Sequence, residues 1–577
     1  MNVKYKLISI ILTISFLLPL FYWWNKGVMV GVLLIIGFFL FQIFRKFVLP
    51  LVVNEANAYS FRWRWFLVIV SLVTGIWLTL NIPVVKPPVE QTPFLPPLFV
   101  RMTYTVSVGV GIGFIVLIAT MFLVRKAIFK EPEESRYSSF MFLKYWLPII
   151  FMWGIYLLAF YPGIMTSDSM DQWNQMLTGI YNDHHPAFHT FTNWLVTRIA
   201  LTPTSVAIAQ ILFLGMIAAQ WLAFLEKIGL SKWLVFAGLV LFSLSPVNGT
   251  MVNTLWKDIP FSISVMGVTL FLAKIVFSHG EWIHSWKAKI LFGVFIALVL
   301  LFRHDGAPLG FGTLVAVFVF YPQKLRHWLI TLLICLGIYF GVRGPLYQAV
   351  GVQKSTMLRE SSLSLYSMAL YAKNGSQAEQ LIRSFKLLSS NWECNLGSKI
   401  NPEWRITDLD YTIPSIRMIS NFISRVPNVL IYFYRCARSM EWIVWDPYGE
   451  VRDASNMTEF IVPNPFGIRP ESKIPWLRDF IANLVIETSV NPNINWFTWR
   501  PAFFLYIHIF VILVLAIRNR SLKFFLISLP ILLQSITFSL IFANPNFRYH
   551  YAVYLVSMIT WPLLFSPPRL DKYIIKL

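Results

Sequence analysis

Four short clusters of ionisable residues interrupt a largely apolar sequence. They are, in chain order, Asp168 and Asp171 with His184 and His185; Lys257 with Asp258; Arg303 with Asp305; and Arg548 with Tyr549. Ionisable groups within or beside apolar membrane helices cost free energy, and they commonly mark a substrate pathway or a catalytic site. These ten residues are therefore the candidate functional residues.

The residue types in these clusters suit one reaction class. An aspartate acts as a general base when its carboxylate reaches hydrogen-bonding distance of an acceptor hydroxyl. Arginine binds phosphate through a planar fork of donors, and lysine binds it as a compact charge. An aspartate beside such cations fits glycosyl transfer from a polyprenyl-phosphate sugar. The leaving group is then a lipid phosphate, and the cations stabilise the charge that develops on it.

Each cluster by itself also has a structural interpretation. Lys257 and Asp258 would form a local ion pair, and Arg303 would extend from a helix end toward water. A His-His-Pro sequence alone is a weak motif. What favours a shared site is the predicted position of all four clusters on one side of a membrane.

The composition indicates a polytopic membrane protein. Of the 577 residues, 57% are hydrophobic and 13% are charged, whereas soluble proteins contain about a quarter charged residues. The three cysteines allow at most one disulfide, so neither a disulfide framework nor a thiolate metal site is predicted. The net charge of +21 could indicate nucleic-acid binding, but the positions of the charges favour another explanation.

About fourteen apolar runs are candidates for transmembrane helices, each of which needs about 20 residues to cross a bilayer core. The runs cover about 7–24, 28–44, 65–81, 104–124, 145–160, 204–225, 233–247, 259–276, 290–302, 306–321, 328–343, 501–517, 524–542 and 551–565. The predicted fold is an all-α polytopic membrane protein with about 14 transmembrane helices. The first run is followed by no signal-peptide cleavage site and is predicted to be retained.

The distribution of lysine and arginine predicts the orientation. If the N-terminus is inside and the helices alternate, the inner segments hold 24 of the 48 basic residues and the short outer segments hold eight. Basic residues collect on the cytoplasmic side. Both termini are therefore predicted to be cytoplasmic and all four clusters extracytoplasmic, in a multi-pass protein of the cell membrane. The charge excess then reflects membrane topology, and no nucleic-acid partner is expected.

Two polar segments on the predicted outer side interrupt the pattern of helical hairpins. One is the loop 161–202. The other is 347–500, in which the aromatic-rich stretch 425–445 predicts a helix in the interface plane. The predicted parts are N-terminal transmembrane helices (1–144), a catalytic transmembrane module (145–346), an extracytoplasmic segment (347–500) and C-terminal transmembrane helices (501–577).

A series of motifs within about 140–565 resembles the GT-C superfamily of integral-membrane glycosyltransferases. The motifs are Tyr161-Pro-Gly, Ser167-Asp168-Ser, His184-His185-Pro186, Trp256-Lys257-Asp258-Ile-Pro260 and Arg303-His-Asp-Gly306. They are similar to the bacterial branch related to protein O-mannosyltransferases and lipid A aminoarabinose transferases, and to an uncharacterised family of bacterial GT-C-like proteins.

The resemblance implies an inverting transfer from an undecaprenyl-phosphate-sugar donor, with the active site on the outer face of the lipid bilayer. The acceptor would belong to the cell envelope: a polymer such as teichoic acid, a lipid or a protein. Lys257, Arg303 and Arg548 would attract the lipid phosphate. The other implied substrate-binding residues are His184, His185, Asp258, Asp305 and Tyr549.

The resemblance also implies that the loop acid is catalytic, and Asp168 matches it. Asp171, three residues later, is the alternative or a second acid that orients the acceptor. GT-C members often carry adjacent Asp and Glu, whereas Ser169 follows Asp168 here, so the choice between the two aspartates stays open. The loop lacks Asp-x-Asp spacing, and we expect neither a metal nor another cofactor.

Two other functions fit the composition. A multi-pass transporter or lipid flippase would use membrane-embedded charges for coupling, but such proteins usually show internal repeats and charges near the midplane. The sequence shows no evident repeat, and its charges are predicted at one face. A structural protein without chemistry would leave the four clusters on one face unexplained.

Overall fold

The structure is a computed structural model that describes residues 3–23, 29–56, 60–81, 97–125, 141–353, 459–491, 493–541 and 547–566. These residues are mostly helical, and they contain no β-strand apart from three isolated bridges. The predicted interfacial helix at 425–445 lies outside the described residues.

The helices are numbered in chain order. They are α1 (Val3–Trp23), α2 (Met29–Ile43), α3 (Leu49–Ala56), α4 (Phe61–Asn81), α5 (Pro97–Arg125), α6 (Leu143–Ala159), α7 (Ser167–Thr178), α8 (Ala187–Val196), α9 (Pro203–Lys227), α10 (Lys232–Leu244), α11 (Pro246–Val252), α12 (Asp258–Phe277), α13 (Trp286–Phe302), α14 (Ala307–Phe320), α15 (Leu325–Gly341), α16 (Tyr347–Ala349), α17 (Pro475–Val490), α18 (Asn495–Thr498), α19 (Pro501–Arg518), α20 (Leu529–Ile541) and α21 (Tyr551–Thr560).

The helices give the architecture of an all-α membrane protein. Each of the fourteen predicted runs falls mostly within helical segments. Among the described residues, seven helices are long and apolar enough to cross a membrane, and the bent pair of α10 and α11 makes an eighth. Four further apolar helices are shorter. The count of fourteen spans therefore stays a prediction.

The chain divides into two compact units. The first comprises Met1–Ile128 and Leu513–Leu522, and the second comprises Phe129–Ile512 and Lys523–Leu577. Within the first unit, α4 and α5 approach closely because Gly75 faces the backbone of Gly109 and Gly113, where a side chain would collide. The predicted boundaries near 144, 346 and 500 stay predictions.

All ten candidate residues belong to the second unit, which has α12 at its core. Almost every residue of α12 is buried, as expected for a helix that is apolar on all sides. The helix begins at Asp258, so the Lys257–Asp258 cluster marks one of its ends.

The span before α12 is broken. Helix α10 ends at Leu244, Pro246 begins α11, and the two axes differ by 56°. A break inside a bilayer frees backbone carbonyls that need partners. Tyr156 Oη donates to Leu244 O over 3.2 Å, and Asn248 Nδ2 donates to Phe242 O over 2.9 Å. The chain then leaves α11 as a short non-helical segment, residues 253–257.

This short segment pairs with the beginning of the 161–202 loop. Ile164 N donates to Asn253 O over 2.9 Å, and Leu255 N donates to Ile164 O over 3.0 Å. Ser169 Oγ adds a bond of 2.8 Å to Leu255 O. The pairing fixes the start of α7 at Ser167 beside the start of α12 at Asp258, although these residues are far apart in the chain.

A single glutamine supports the same segment from α9. Gln210 Nε2 donates to Val252 O over 2.8 Å and to Thr254 O over 3.0 Å. We expect Gln210→Leu to destabilise the fold, because a buried acceptor left without its donor costs about 1 to 3 kcal/mol. Thermal unfolding in detergent measures the effect, with Ile208→Leu on the exposed face of α9 as control. Equal melting temperatures for the two variants would contradict this role.

Candidate functional site

The loop 161–202 presents Asp168 in the first turn of α7. Thr166 caps the helix in a capping box with Ser169, and Gly179 ends it at a left-handed φ of 71°. The backbone N–H groups at a helix N-terminus favour a negative charge. The local sequence thus holds a carboxylate where its ionised form is stabilised.

Helices α7 and α8 are joined by a buried histidine. His189 Nδ1 lies 2.9 Å from Gln172 Oε1, and Gln172 Nε2 donates to Thr190 Oγ1 over 3.2 Å. Burial, together with the charges of Lys257 and His185, lowers the pKa of His189 to about 3. The ring is therefore neutral and serves the packing of the two helices.

Asp168 lies beside Arg548, which belongs to another predicted cluster, and beside His185 from its own cluster. Arg548 Nη1 donates to Asp168 Oδ2 over 2.8 Å, and His185 Nε2 lies 4.0 Å from Asp168 Oδ1. The Asp168 side chain is 29% exposed. A carboxylate in this position is held by a cation and can still be reached from outside.

Lys257 completes the group through His185. Its ammonium lies 2.7 Å from His185 Nδ1. Because an ammonium can only donate, Nδ1 must be unprotonated, and the ring proton of the neutral histidine is on Nε2, on the side of Asp168. We call Asp168, His185, Lys257 and Arg548 the acid–cation cluster.

Burial and the neighbouring charges set the protonation of this cluster. Burial would raise the pKa of Asp168, but the charges of Arg548, His185 and Lys257 outweigh it and lower that pKa. Burial and the charge of Lys257 lower the pKa of His185 to about 3. Burial lowers the pKa of Lys257 to about 8, against the opposing effect of Asp258. At neutral pH the cluster holds one anion and mostly two cations, so it attracts an anion.

Arg548 is positioned by aromatic residues. It lies in a 3₁₀ turn, Phe547–His550, that precedes α21. Its guanidinium is 4.9 Å from the Trp256 ring centre and 5.0 Å from that of Tyr549. Trp256 Nε1 donates to Thr166 Oγ1 over 2.7 Å. This bond connects the ring beside Arg548 to the residue that caps α7.

Arg303 lies in an ion cluster with Asp258 and Asp305. Its guanidinium is buried, with Nη1 paired to Asp258 and Nε donating to Asp305 Oδ1 over 2.9 Å. Its Cζ is 4.8 Å from the ring centres of both Phe538 and Tyr549. Two carboxylates thus outweigh its charge. In the structure, Arg303, Asp258 and Asp305 form a buried ion cluster that joins the start of α12 to the end of α13.

The remaining two candidates have exposed side chains. Asp171 is exposed on α7, where its Oδ2 accepts a bond of 2.8 Å from Gln175 Nε2. His184 is exposed too, and its ring centre is 5.0 Å from that of His185. Of the two aspartates, only Asp168 makes a described contact with the cations, which favours it for the catalytic position.

The sequence analysis did not predict a second ion cluster, which contains Asp183, Arg343 and His304. Arg343 Nη2 donates to Asp183 Oδ2 over 2.5 Å, and His304 Nε2 lies 2.8 Å from Asp183 O. Asp183 Oδ1 also accepts from Ala187 N over 3.0 Å and so caps α8. A carboxylate that accepts from the first N–H of a helix satisfies one of its unpaired donors. Nothing in the sequence pairs Asp183 with an arginine 160 positions later.

Among the described residues, no group of three or more His, Cys, Asp or Glu side chains is arranged to hold a metal ion. Comparison with protein-family models, with curated proteins and with solved structures finds no match for this chain. A functional conclusion therefore depends on the geometry of the site.

The two arginines should respond differently to substitution. We expect Arg303→Met to destabilise the fold by about 3 to 5 kcal/mol, because it leaves the buried carboxylate of Asp258 and the half-buried carboxylate of Asp305 without a counter-charge. Arg548→Met leaves Asp168, which is partly exposed, and should affect stability much less. Thermal unfolding of the purified variants measures both effects, and a larger loss for Arg548→Met would contradict the assignment.

His185 should stay neutral in mild acid. We expect diethyl pyrocarbonate, which attacks neutral imidazole, to modify it at similar rates at pH 7.5 and pH 5, as measured by peptide mass spectrometry in a His184→Gln background. N-acetylhistidine in the same tube should react about thirtyfold more slowly at pH 5, since free histidine titrates near 6.5. Lys257→Gln removes the smaller of the two main causes of the low His185 pKa, burial being the larger, and should therefore make the fall in the His185 rate at pH 5 greater than in wild type. A tenfold fall for His185 with Lys257 present would refute the neutral ring.

Proposed function

We propose that this protein is a membrane glycosyltransferase of the GT-C type, which moves a sugar from a polyprenyl-phosphate donor to an acceptor hydroxyl. The observation that carries the proposal is the acid–cation cluster: a partly exposed, ionised carboxylate with two cations around it. This cluster contains both the base and the anion-binding groups that such a transfer requires.

In the proposed reaction, Asp168 is the general base. Its carboxylate accepts the proton of the acceptor hydroxyl while the hydroxyl oxygen forms a bond to the anomeric carbon of the donor sugar. The bond between that carbon and the lipid phosphate oxygen breaks, and its electron pair stays with the phosphate. A single displacement of this kind inverts the anomeric configuration.

Arg548 and Lys257 are the proposed phosphate-binding residues. Arg548 donates to the partly exposed Asp168, Lys257 lies beside His185, and both would stabilise the charge on the leaving phosphate. A phosphate bound to Arg548 would also weaken the hold of that arginine on Asp168. When the charge of Arg548 is shared with the phosphate, it lowers the pKa of Asp168 less than it does without the donor. The carboxylate is therefore more basic when the donor is bound.

The surface of the loop favours a lipid-linked substrate. Leu195, Ile199 and Leu201, which follow one another around the end of α8, are 64%, 88% and 66% exposed. Exposed apolar side chains beside a polar site are typical of segments that lie in a membrane interface. Such a position would put Asp168 at the depth of a lipid phosphate. We assign this face to the extracytoplasmic side and both termini to the cytoplasm.

A transporter or flippase is the alternative that the broken span α10–α11 would favour, because interrupted helices often form ion sites in transporters. Here Tyr156 and Asn248 donate to carbonyls freed at the break. A coupling ion would have to displace these bonds. The transferase accounts for the acid–cation cluster without such a rearrangement.

The decisive test compares the envelope sugars of a deletion strain complemented with wild type, Asp168→Asn or Asp171→Asn. We expect one sugar to disappear on deletion and to return with wild type and with Asp171→Asn. Asp168→Asn should lower transfer by about a hundredfold to ten-thousandfold, the range for loss of a general base. Mass spectrometry of hydrolysed envelope fractions measures the sugars, and size-exclusion chromatography checks that each variant folds.

Normal sugar levels with folded Asp168→Asn would reject Asp168 as the base. Transport would be favoured instead by two results together. The first is an unchanged sugar profile between the deletion strain and its wild-type complement when the complementing protein is expressed. The second is counterflow of a labelled lipid or solute in proteoliposomes. Loss of the sugar with Asp171→Asn alone would move the base to the exposed aspartate.

A further inference from the structure

Helix α17 begins beside the loop 161–202. Lys473, two residues before the helix, donates from its backbone N–H to Leu158 O over 2.9 Å, and Glu471 N donates to Tyr161 O over 2.9 Å. Leu158 lies in the last turn of α6, and Tyr161 is the first residue of the loop. The start of α17 is therefore attached to the end of α6 from which the loop emerges.

The other end of α17 is attached to the same face of the second unit. Trp499 lies in the short link between α17 and α19, and its Nε1 donates to Thr488 Oγ1 in the last turn of α17 over 3.1 Å. Its ring centre is 5.0 Å from that of Phe547, the neighbour of Arg548. Both ends of α17 therefore lie at the face that holds the acid–cation cluster. The 16 residues of α17 span about 24 Å, which is less than the thickness of a bilayer core.

Three rows of side chains divide the surface of α17. Because a helix turns about 100° per residue, side chains four positions apart form a row, and rows that begin at successive residues are about 100° apart. The row that is buried against the protein consists of Ile481, Val485 and Ser489. The next row is apolar and exposed or half-buried, and it consists of Trp476, Phe480 and Leu484. The third row is polar and exposed, and it consists of Asp479, Asn483 and Glu487.

The apolar row of α17 continues an exposed apolar side of α6. Phe151 and Leu158 lie on one side of α6, seven residues apart, and both are exposed. An exposed apolar side on a membrane helix faces lipid. Trp476 and Phe480 are 71% and 61% exposed. The backbone bond from Lys473 to Leu158 joins the start of their row to the end of this side, so the row extends a surface that faces lipid.

We propose that α17 lies in the plane of the membrane interface, with Trp476 and Phe480 in contact with the lipids of the leaflet beside the acid–cation cluster. The polar row then faces water, and the aromatic residues lie at the headgroup level, where tryptophan is enriched. Because both ends of α17 are attached beside the acid–cation cluster, the helix would hold that cluster at the depth of the lipid headgroups. The proposal does not depend on the proposed transferase activity.

Nitroxide labels on single cysteines test this position in the full chain, reconstituted in vesicles of phosphatidylcholine and phosphatidylglycerol. The native cysteines are first replaced by alanine: Cys335, Cys394 and Cys436. Oxygen concentrates in lipid and nickel-EDDA in water, so the ratio of their collision rates with a label reports its depth. We expect this ratio to be severalfold higher at Trp476→Cys and Phe480→Cys than at Asn483→Cys and Glu487→Cys, because the apolar side of an interfacial helix lies about 5 to 10 Å below the water boundary.

Phe151→Cys on α6 is the reference for a side chain in contact with lipid tails. Equal ratios at Trp476→Cys and Glu487→Cys would overturn the proposal, because high oxygen collision at both means a helix that crosses the bilayer, and high nickel collision at both means a helix in water. Slow collision of both reagents at Trp476→Cys and Phe480→Cys would overturn it as well, since protein then covers the apolar row.

A second measurement needs no substitution. A phospholipid with a diazirine in its headgroup region labels neighbouring side chains of the wild-type chain in light. Cleavage by trypsin after Lys473 and Arg478 isolates Trp476 in a short peptide for mass spectrometry. We expect label on this peptide and on Phe480, and none on Glu487. A peptide free of label, when other parts of the chain are labelled, would contradict the proposal.

Discussion

The backbone pairing between Ile164 and the segment Asn253–Leu255 is the constraint on which the rest of the site depends. It forms because α11 ends about five residues before α12 begins, so a short stretch of chain has amide and carbonyl groups that no helix satisfies. Buried backbone groups need partners, and the start of the loop 161–202 supplies them. Asp168, four residues beyond Ile164, and Lys257, two residues beyond Leu255, are brought to the same place as a result.

The charged residues around this pairing separate into two groups with different physical roles. Arg303 is buried and forms ion pairs with two carboxylates, so its charge stabilises the fold. Substitution would leave those carboxylates without a counter-charge. Asp168 and Arg548 form a pair that keeps part of its surface exposed. An incoming anion can compete for Arg548 but not for Arg303. Exposure, more than residue type, therefore distinguishes a binding cation from a structural one.

Helix α12 carries a charged residue at each end of an apolar span. Its first residue is a carboxylate in an ion cluster, while Lys274 in its last turn lies beside the rings of Phe271 and Trp282. Its other residues are almost entirely buried, so the helix holds these ends at a fixed separation.

The sequence by itself determined the apolar helices, because about twenty apolar residues in succession have few stable arrangements other than a membrane or buried helix. It also identified the clusters that hold the charges. It could not rank Asp168 above Asp171, since a spacing of three residues places both on one helix surface. Nor could it distinguish the buried Arg303 from the partly exposed Arg548, or predict the contact between Asp183 and Arg343. Only the tertiary structure shows which of these residues contact one another and which are buried, because burial and ion pairing depend on segments that are distant in the chain.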